Sequence, residues 1–280
     1  MWKQRIIQAI WITIGVGTIV LLVAAVQKKS NRKCIGVEVS ISGISEHMFI
    51  DEKDVIQILN SRGNIIGREI SGIDLKKSEE ALEKTSWIAN AELFFDNNQV
   101  LNVSVVEREP VARVFTVNGN SFYLDTAAMR LPLSEKLSAK VPVFTGYPYD
   151  KAIPDTALLR DMIELSKYIK ADSFWMAQIA QVDILPGKQF EMVPTIGNHS
   201  IYFGSVADMD AKFKKLFTFY KQVAAKYGFD KYEKLNLVYK DQIVATRRGA
   251  MKTVMDSTAA LQQLNNSLTR EVVADSTNSN

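Results

Sequence analysis

The chain has 280 residues, of which 47% are apolar, with one cysteine and a formal net charge of +3. So small a charge, with no basic stripe interleaved with aromatics, excludes a nucleic-acid footprint. A lone cysteine excludes an intramolecular disulfide, so the fold must rest on its apolar core and cysteine pairing says nothing of the redox compartment.

After five residues the chain enters Ile6 to Val26 (IIQAIWITIGVGTIVLLVAAV), a run without a charged residue. A hydrocarbon core of about 30 Å is crossed by about 20 apolar residues. The backbone there must satisfy its own hydrogen bonds, so the run predicts a transmembrane helix over 6–26. No second apolar run of that length follows, so the body lies on one side of the membrane. The alternative is a cleaved signal peptide, for which Val23-Ala24-Ala25 would be the cleavage site. Its apolar core is usually shorter, about 7–15 residues, so an uncleaved anchor is the expectation. Lys3 and Arg5 precede the run, while Lys28, Lys29, Arg32 and Lys33 follow it. The positive-inside rule alone would keep the body in the cytoplasm, but long domains translocate largely regardless of charge. Flanking charge therefore leaves the side open, and an exported body with residues 1–5 in the cytoplasm is the expectation.

Residues 27–34 (QKKSNRKC) read as a polar tether. Ile35, Val37, Val39 and Ile41 then alternate with Gly36, Glu38 and Ser40, the period of a half-buried strand, and Gly43 marks a turn. Asp51 can cap a helix with Glu52 and Asp54 in its first turn and Val55, Ile56 and Leu59 on its apolar stripe. A second helix is expected over 75–85, with Leu75 and Leu82 on one face. Ile88 to Phe95 reads as a strand, Asp96-Asn97-Asn98 as a turn, and Leu101, Val103 and Val105 as alternate positions of another strand. Residues 35–109 thus predict a small α+β unit, strand-helix-helix-strand-strand, with its helices on one face of a three-stranded sheet.

Residues 110–248 predict a second α+β domain with a mixed or antiparallel sheet. Val114 to Val117 and Phe122 to Leu124 read as strands around Asn118-Gly119. Pro132, Pro142, Pro148 and Pro154 mark loops. Asp155 opens a helix with Leu159, Met162, Ile163, Ser166 and Ile169 on one side. Ala180, Val182 and Ile184 begin a set of strands that turns at Pro186-Gly187, continues through Phe190 and Met192, and returns through Ile201 and Phe203 after Gly197-Asn198. The helix from Met209 to Tyr227 has the clearest period in the body, with Lys212, Lys214, Lys215 and Lys221 mostly on its outer side. Gly228 stops it, and a last strand is expected from Leu235 to Thr246. Residues 249–280 read as a polar, disordered tail in which Leu261, Leu264 and Leu268 suggest one short helix.

Chemistry-bearing residues are sparse. His47 and His199 fall in different domains and no Cys/His set has zinc spacing. No nucleophile motif or phosphate-binding loop is present, and Gly15-Val16-Gly17 reads as helix packing. Cys34 reads as an incidental exposed cysteine rather than a reactive thiol. Asp125 and Asp183 read as strand-end hydrogen bonders rather than as a catalytic carboxylate pair. The Met209 to Tyr227 stripe reads as core.

The strand-helix-helix-strand-strand unit behind a single anchor resembles a POTRA domain. Glu107-Arg108-Glu109-Pro110-Val111-Ala112 resembles the E-R-x-P-x-A motif that closes this domain in the FtsQ/DivIB family of bacterial cell-division proteins. Ser86-Trp87-Ile88 resembles that family's P-W-V, with Ser86 for the proline. Tyr123-Leu124-Asp125 resembles its Y-L-V-D, with Ala128 where a glycine is usual. Val141-Pro142-Val143-Phe144-Thr145-Gly146 resembles its L-P-x-x-x-G. Gly43, Trp87, Glu107, Arg108, Pro110, Ala112, Asp125 and Gly146 are thereby structural motif residues.

The resemblance implies a non-enzymatic, cofactor-free, single-pass scaffold of the bacterial inner membrane. Its body would be periplasmic, at the division septum, and would link early and late division proteins. It further implies that the terminal strand is the docking edge for FtsB/FtsL-like bitopic proteins. That role falls on Leu237, Val238, Tyr239, Lys240, Gln242 and Val244. Tyr239 matches the family's D-x-R-Y position, while Asn236 and Val238 stand where the aspartate and arginine are usual. Leu235 and Leu237 read more readily as plain sheet core, whereas for the outward Tyr239 and Lys240 the docking and plain-surface readings stand even. Two other readings remain: a POTRA-type periplasmic chaperone or export component, which would usually carry several such repeats and a barrel, and an anchored periplasmic hydrolase, which needs a nucleophile or metal cluster.

Overall fold

The computed structural model describes residues 2, 6, 10–21, 32–43, 49–61, 63–148 and 155–249. Most of the tether, His47, Pro154 and the tail beyond Gly249 lie outside the described residues, as do residues 7–9 and 22–26 of the apolar run. Residues 10–21 form a helix, α1, and among the described residues no helix is long and apolar enough to cross a membrane. The chain divides into two compact units: Met1–Glu109 with Arg130–Ala139, and Pro110–Met129 with Lys140–Asn280.

The first unit follows the alternation of its sequence. β1 (Gly36–Ser42) runs parallel to β3 (Val100–Glu107), and β2 (Ile88–Phe95) runs antiparallel to β3, giving the order β1-β3-β2. Asp51 begins α2 (Glu52–Asn60) with a capping box, its carboxylate accepting from Asp54 N while the Asp54 carboxylate accepts from Asp51 N. Asp74 caps α3 (Leu75–Glu83) through Lys77 N. Val55 and Leu59 of α2 and Leu82 of α3 are buried with Ile88, Ala91, Leu93, Leu101, Val103 and Val105, so the odd positions of β3 form the core face. The segment 130–139 opens with the short β6 (Arg130–Leu131), and its Lys136 Nζ reaches the carboxylates of Asp51 and Asp54 at 3.0 and 2.6 Å.

Cys34 corrects the expectation of an exposed thiol. It is buried, its N–H donates to Arg68 O at 2.9 Å, its carbonyl accepts from Gly67 N at 2.7 Å, and its Sγ donates to Gly36 O at 3.3 Å. The chain is therefore already folded at Arg32, whose carbonyl accepts from Ile70 N.

The second unit is built on one mixed sheet. Its strands are β4 (Pro110–Thr116), β5 (Ser121–Asp125), β7 (Val143–Tyr147), β8 (Ile179–Leu185), β9 (Gln189–Pro194), β10 (Ser200–Gly204), β11 (Tyr232–Asn236) and β12 (Val244–Arg247), in the spatial order β12-β11-β10-β9-β8-β7-β4-β5. The β4/β7, β7/β8 and β10/β11 pairs are parallel, and the others antiparallel. Phe144, Val182, Phe190, Met192, Ile201, Phe203 and Leu235 form one buried face. They share a core with Leu159 and Met162 of α4 (Thr156–Ala171) and with Phe213 and Leu216 of α6 (Met209–Phe219). Asp155 caps α4 through Leu158 N, and a short helix the sequence did not announce, α5 (Ser173–Gln178), follows with Asp172 as its cap.

Two expectations need correction here. The long helix is interrupted: α6 passes into a π-helical turn, Tyr220–Ala224, before α7 (Ala225–Tyr227). The wider turn carries Tyr220 and Ala224 into the core and leaves Tyr227 exposed. The single strand expected from Leu235 to Thr246 is two strands, β11 and β12, joined by a loop over 237–243. The break lies in the backbone: Asp241 adopts a left-handed φ of +59°, which no strand accommodates.

Candidate partner-docking surface

The motif residues cluster by unit. Glu107 ends β3 with its carboxyl buried, and its Oε1 accepts from the backbone N–H groups of Phe49 and Ile50, the latter at 3.1 Å. Burial pushes its pKa up, and those two donors oppose the shift. Gly43 lets this carboxylate approach, since a Cβ there would stand 3.2 Å from Glu107 Cβ and 3.4 Å from its Oε2. Trp87 stacks on Phe49 with ring centroids 4.0 Å apart and 5° between planes, and its carbonyl accepts from Arg108 N at 2.8 Å. The Glu-Arg pair therefore fastens the end of β3 to both flanks of the helical layer.

In the second unit Pro110 and Ala112 lie on β4, in register with Asp125 and Leu124 of β5. Buried Asp125 accepts from Ala127 N and Met129 N at 2.9 and 2.7 Å, closing the turn after β5, and Ala128 in that turn has φ +64°. Asp183 accepts from Thr145 Oγ1 and Gln181 Nε2. The two aspartates thus serve separate local networks. Gly146, at φ +73°, admits the approach of β8: a Cβ there would stand 3.0 Å from the Ile184 carbonyl oxygen.

The six residues expected at the docking edge divide. Leu237 is core and donates its N–H to Tyr202 O at 3.0 Å. Val238, Tyr239, Lys240 and Gln242 are exposed on the 237–243 loop, not on a strand. Val244 alone lies on a strand, opening β12, and is 44% exposed. β12 pairs with β11 on one side, in the register Asn236↔Val244 to Tyr232↔Arg247, and among the described residues it ends the sheet on the other. A terminal strand presents unpaired backbone N–H and C=O groups that another chain's strand can match.

The outer lysines expected on α6 also divide. Lys212 is buried, donates to Ser205 O at 2.7 Å and lies 4.8 Å from the centre of the Phe203 ring. Burial lowers its pKa, Lys215 adds to that, and Asp208 opposes it. Lys215 donates to the carbonyls of Leu237, Tyr239 and Gln242 at 3.0, 2.6 and 3.4 Å. Lys212 sits four residues before buried Leu216, a spacing that already placed it on the apolar face. Between α6 and the loop lies a groove of about 690 Å³, floored by Leu237 and Ile243 and rimmed by Lys214, Lys240 and Asp208.

His199 is buried beside the π-helical turn. Its Nε2 lies 3.1 Å from the Tyr220 hydroxyl, and its Nδ1 has no hydrogen-bond partner among the described residues. Burial is the main cause lowering its pKa; Arg248 lowers it further and Asp230 opposes. Burial likewise pushes the Tyr220 phenol up. No group of three or more His, Cys, Asp or Glu among the described residues is arranged to hold a metal ion.

Comparison with known proteins places these features among relatives. Residues 32–106 match the family described as "POTRA-like domain", and residues 109–246 match "FtsQ/DivIB, C-terminal related". The chain is also similar to the "Cell division protein FtsQ" of Geotalea daltonii, with 23% identity over 210 residues, covering 73% of this chain and 74% of that protein.

Proposed function

The chain belongs to the FtsQ/DivIB family, and from that premise we propose that it is a non-enzymatic scaffold of the bacterial divisome. The apolar run over 6–26 is its single membrane anchor, residues 1–5 are cytoplasmic, and the two units stand in the periplasm at the division septum. The first unit, over 35–109, acts as a POTRA domain; the second, over 110–248, binds FtsB/FtsL-like bitopic proteins and so links early to late division proteins.

The observation that carries the reading is the open edge of β12. It is short, it ends the sheet, and the exposed Val238 and Tyr239 precede it. A partner strand added to β12 would take its affinity from main-chain hydrogen bonds and its specificity from the side chains beside the edge. Val244 therefore replaces the 237–242 segment as the centre of docking, with Val238, Tyr239, Lys240 and Gln242 as its flank.

A photo-crosslinking residue at Val244 in dividing cells tests this. The expected product joins the chain to a small bitopic division protein. Tyr239→Glu should abolish that product while leaving the melting temperature within a few degrees, since Tyr239 is half exposed. Crosslinking that persists in Tyr239→Glu, or a periplasm-specific reporter that stays inactive when fused after Arg248, would overturn the assignment.

A further inference from the structure

β12 has four residues, at the short end of ordinary strands, and pairs on one side with β11. Its two ends are held by cations that donate to backbone oxygens. Before it, the Lys215 ammonium gathers the carbonyls of Leu237, Tyr239 and Gln242, and its three donors meet three acceptors. After it, the Arg248 guanidinium donates to Asp230 O at 3.2 Å, to Asn198 O, and to Tyr232 O at 3.4 Å, while Arg248 N donates to Lys231 O at 3.1 Å. One cation comes from α6 and holds the loop that leads into β12; the other lies just beyond β12 and ties that end to Asn198, Asp230 and Tyr232.

Their geometry also sets what the edge displays. With the Leu237, Tyr239 and Gln242 carbonyls on Lys215, Tyr239 stays half exposed and Val238 stands half exposed against Gly204 of β10. The Leu237 N–H, bound to Tyr202 O, fixes the depth at which the loop leaves β11.

We infer that Lys215 and Arg248 are paired positioning residues that keep β12 preformed as an edge for strand addition; the docking part of this rests on the function proposed above. Each side chain gives backbone carbonyls charge-assisted hydrogen bonds, which are the stronger kind: Lys215 on the 237–243 loop, Arg248 on Asn198, Asp230 and Tyr232. A preformed edge spares an arriving strand the cost of ordering it.

The test uses the full chain in lipid nanodiscs. Hydrogen exchange is followed at the amides of 244–248, with the amides of β8 and β9 as internal reference. Lys215→Met and Arg248→Met should each raise exchange at 244–248 by about tenfold or more, the loss expected for hydrogen bonds to a charged group. The reference amides should not change, and Lys215→Arg and Arg248→Lys should recover most of the protection. In cells, the yield of the Val244 crosslink should fall in both Met variants and return in the conservative ones. Unchanged exchange at 244–248 in the double Met variant would overturn the inference. So would a full crosslink yield from an edge shown to be loosened. If exchange responds as expected but wild-type Val244 crosslinks to nothing, the clamps stand and the docking role falls.

Discussion

Glu107 offers the sharpest test of how the first unit is held together. Its Oε1 is the acceptor for two backbone donors, Phe49 N and Ile50 N, just ahead of the capped α2. Hydrogen bonds to an ionised group contribute about 1.5–3 kcal/mol each, so Glu107→Ala, which strands both donors, should cost about 3–5 kcal/mol. Glu107→Gln keeps an acceptor oxygen in place and removes a charge whose burial is unfavourable; its cost should be about 1 kcal/mol or less. The two variants have nearly the same effect on charge and differ in the acceptor, so their difference isolates the hydrogen bonds. Linkage supplies a second arm. The folded carboxyl has a raised pKa, so the native state binds its proton more tightly than the unfolded one. This contribution is fully present below the unfolded value of about 4.3 and is lost as pH rises through the higher folded value. Glu107→Gln should lack that slope. Denaturant unfolding of the full chain, with hydrogen exchange at Phe49 and Ile50 to assign the transition, reads both arms. Equal destabilisation by Ala and Gln would refute the reasoning, because it would mean that the acceptor contributes nothing.

Two further substitutions probe the second unit. Ala128 holds φ +64°, a left-handed conformation that glycine adopts at no steric cost; Ala128→Gly should raise stability by about 0.5–1 kcal/mol, seen as a higher denaturation midpoint at unchanged slope. No gain would mean that the turn after β5 is relaxed with alanine. His199 has a lowered pKa, so its contribution is complete above its unfolded value of about 6.5 and is lost as pH falls towards the folded value. The slope should not exceed about 1.4 kcal/mol per pH unit. His199→Gln should remove it, and identical wild-type and variant profiles between about pH 7 and 5 would refute the assignment.

Local patterns made much of the architecture legible. Alternating Ile, Val and Leu positions placed β1, β2 and β3, Asp51 and Asp155 announced their helices, and Asn118-Gly119 announced the β4–β5 turn. What the sequence hid was long-range. The loop between β11 and β12 carries four residues that favour a strand, Leu237, Val238, Tyr239 and Ile243, and it departs from that form where Lys215, more than twenty positions earlier, gathers its carbonyls and where Asp241 turns left-handed. The π-helical turn was hidden for a related reason: one extra residue in a turn shifts every later position on the stripe, so Tyr227, placed on the core face by a regular period, is exposed. Cys34 was misplaced because its burial depends on pairing with residues 67 and 68. At the candidate site the motif residues were legible through resemblance, whereas the strand that closes the sheet order, β12, and the two cations beside it were not, since backbone acceptors leave no mark in sequence.

The choice of neutral carbonyls as partners for Lys215 and Arg248 bears on how the edge responds to salt. Exposed ion pairs such as Lys136 with Asp51 and Asp54 weaken as ionic strength rises, because dissolved ions compete for both charges. A cation in direct contact with peptide dipoles at about 3 Å sits far inside a screening length of about 8 Å at physiological ionic strength, and only one of its partners is an ion. The edge strand should therefore keep its shape across swings in external salt that loosen the surface ion pairs. For an edge that meets its partner in the periplasm, as proposed above, this arrangement gives constancy in a medium the cell does not control.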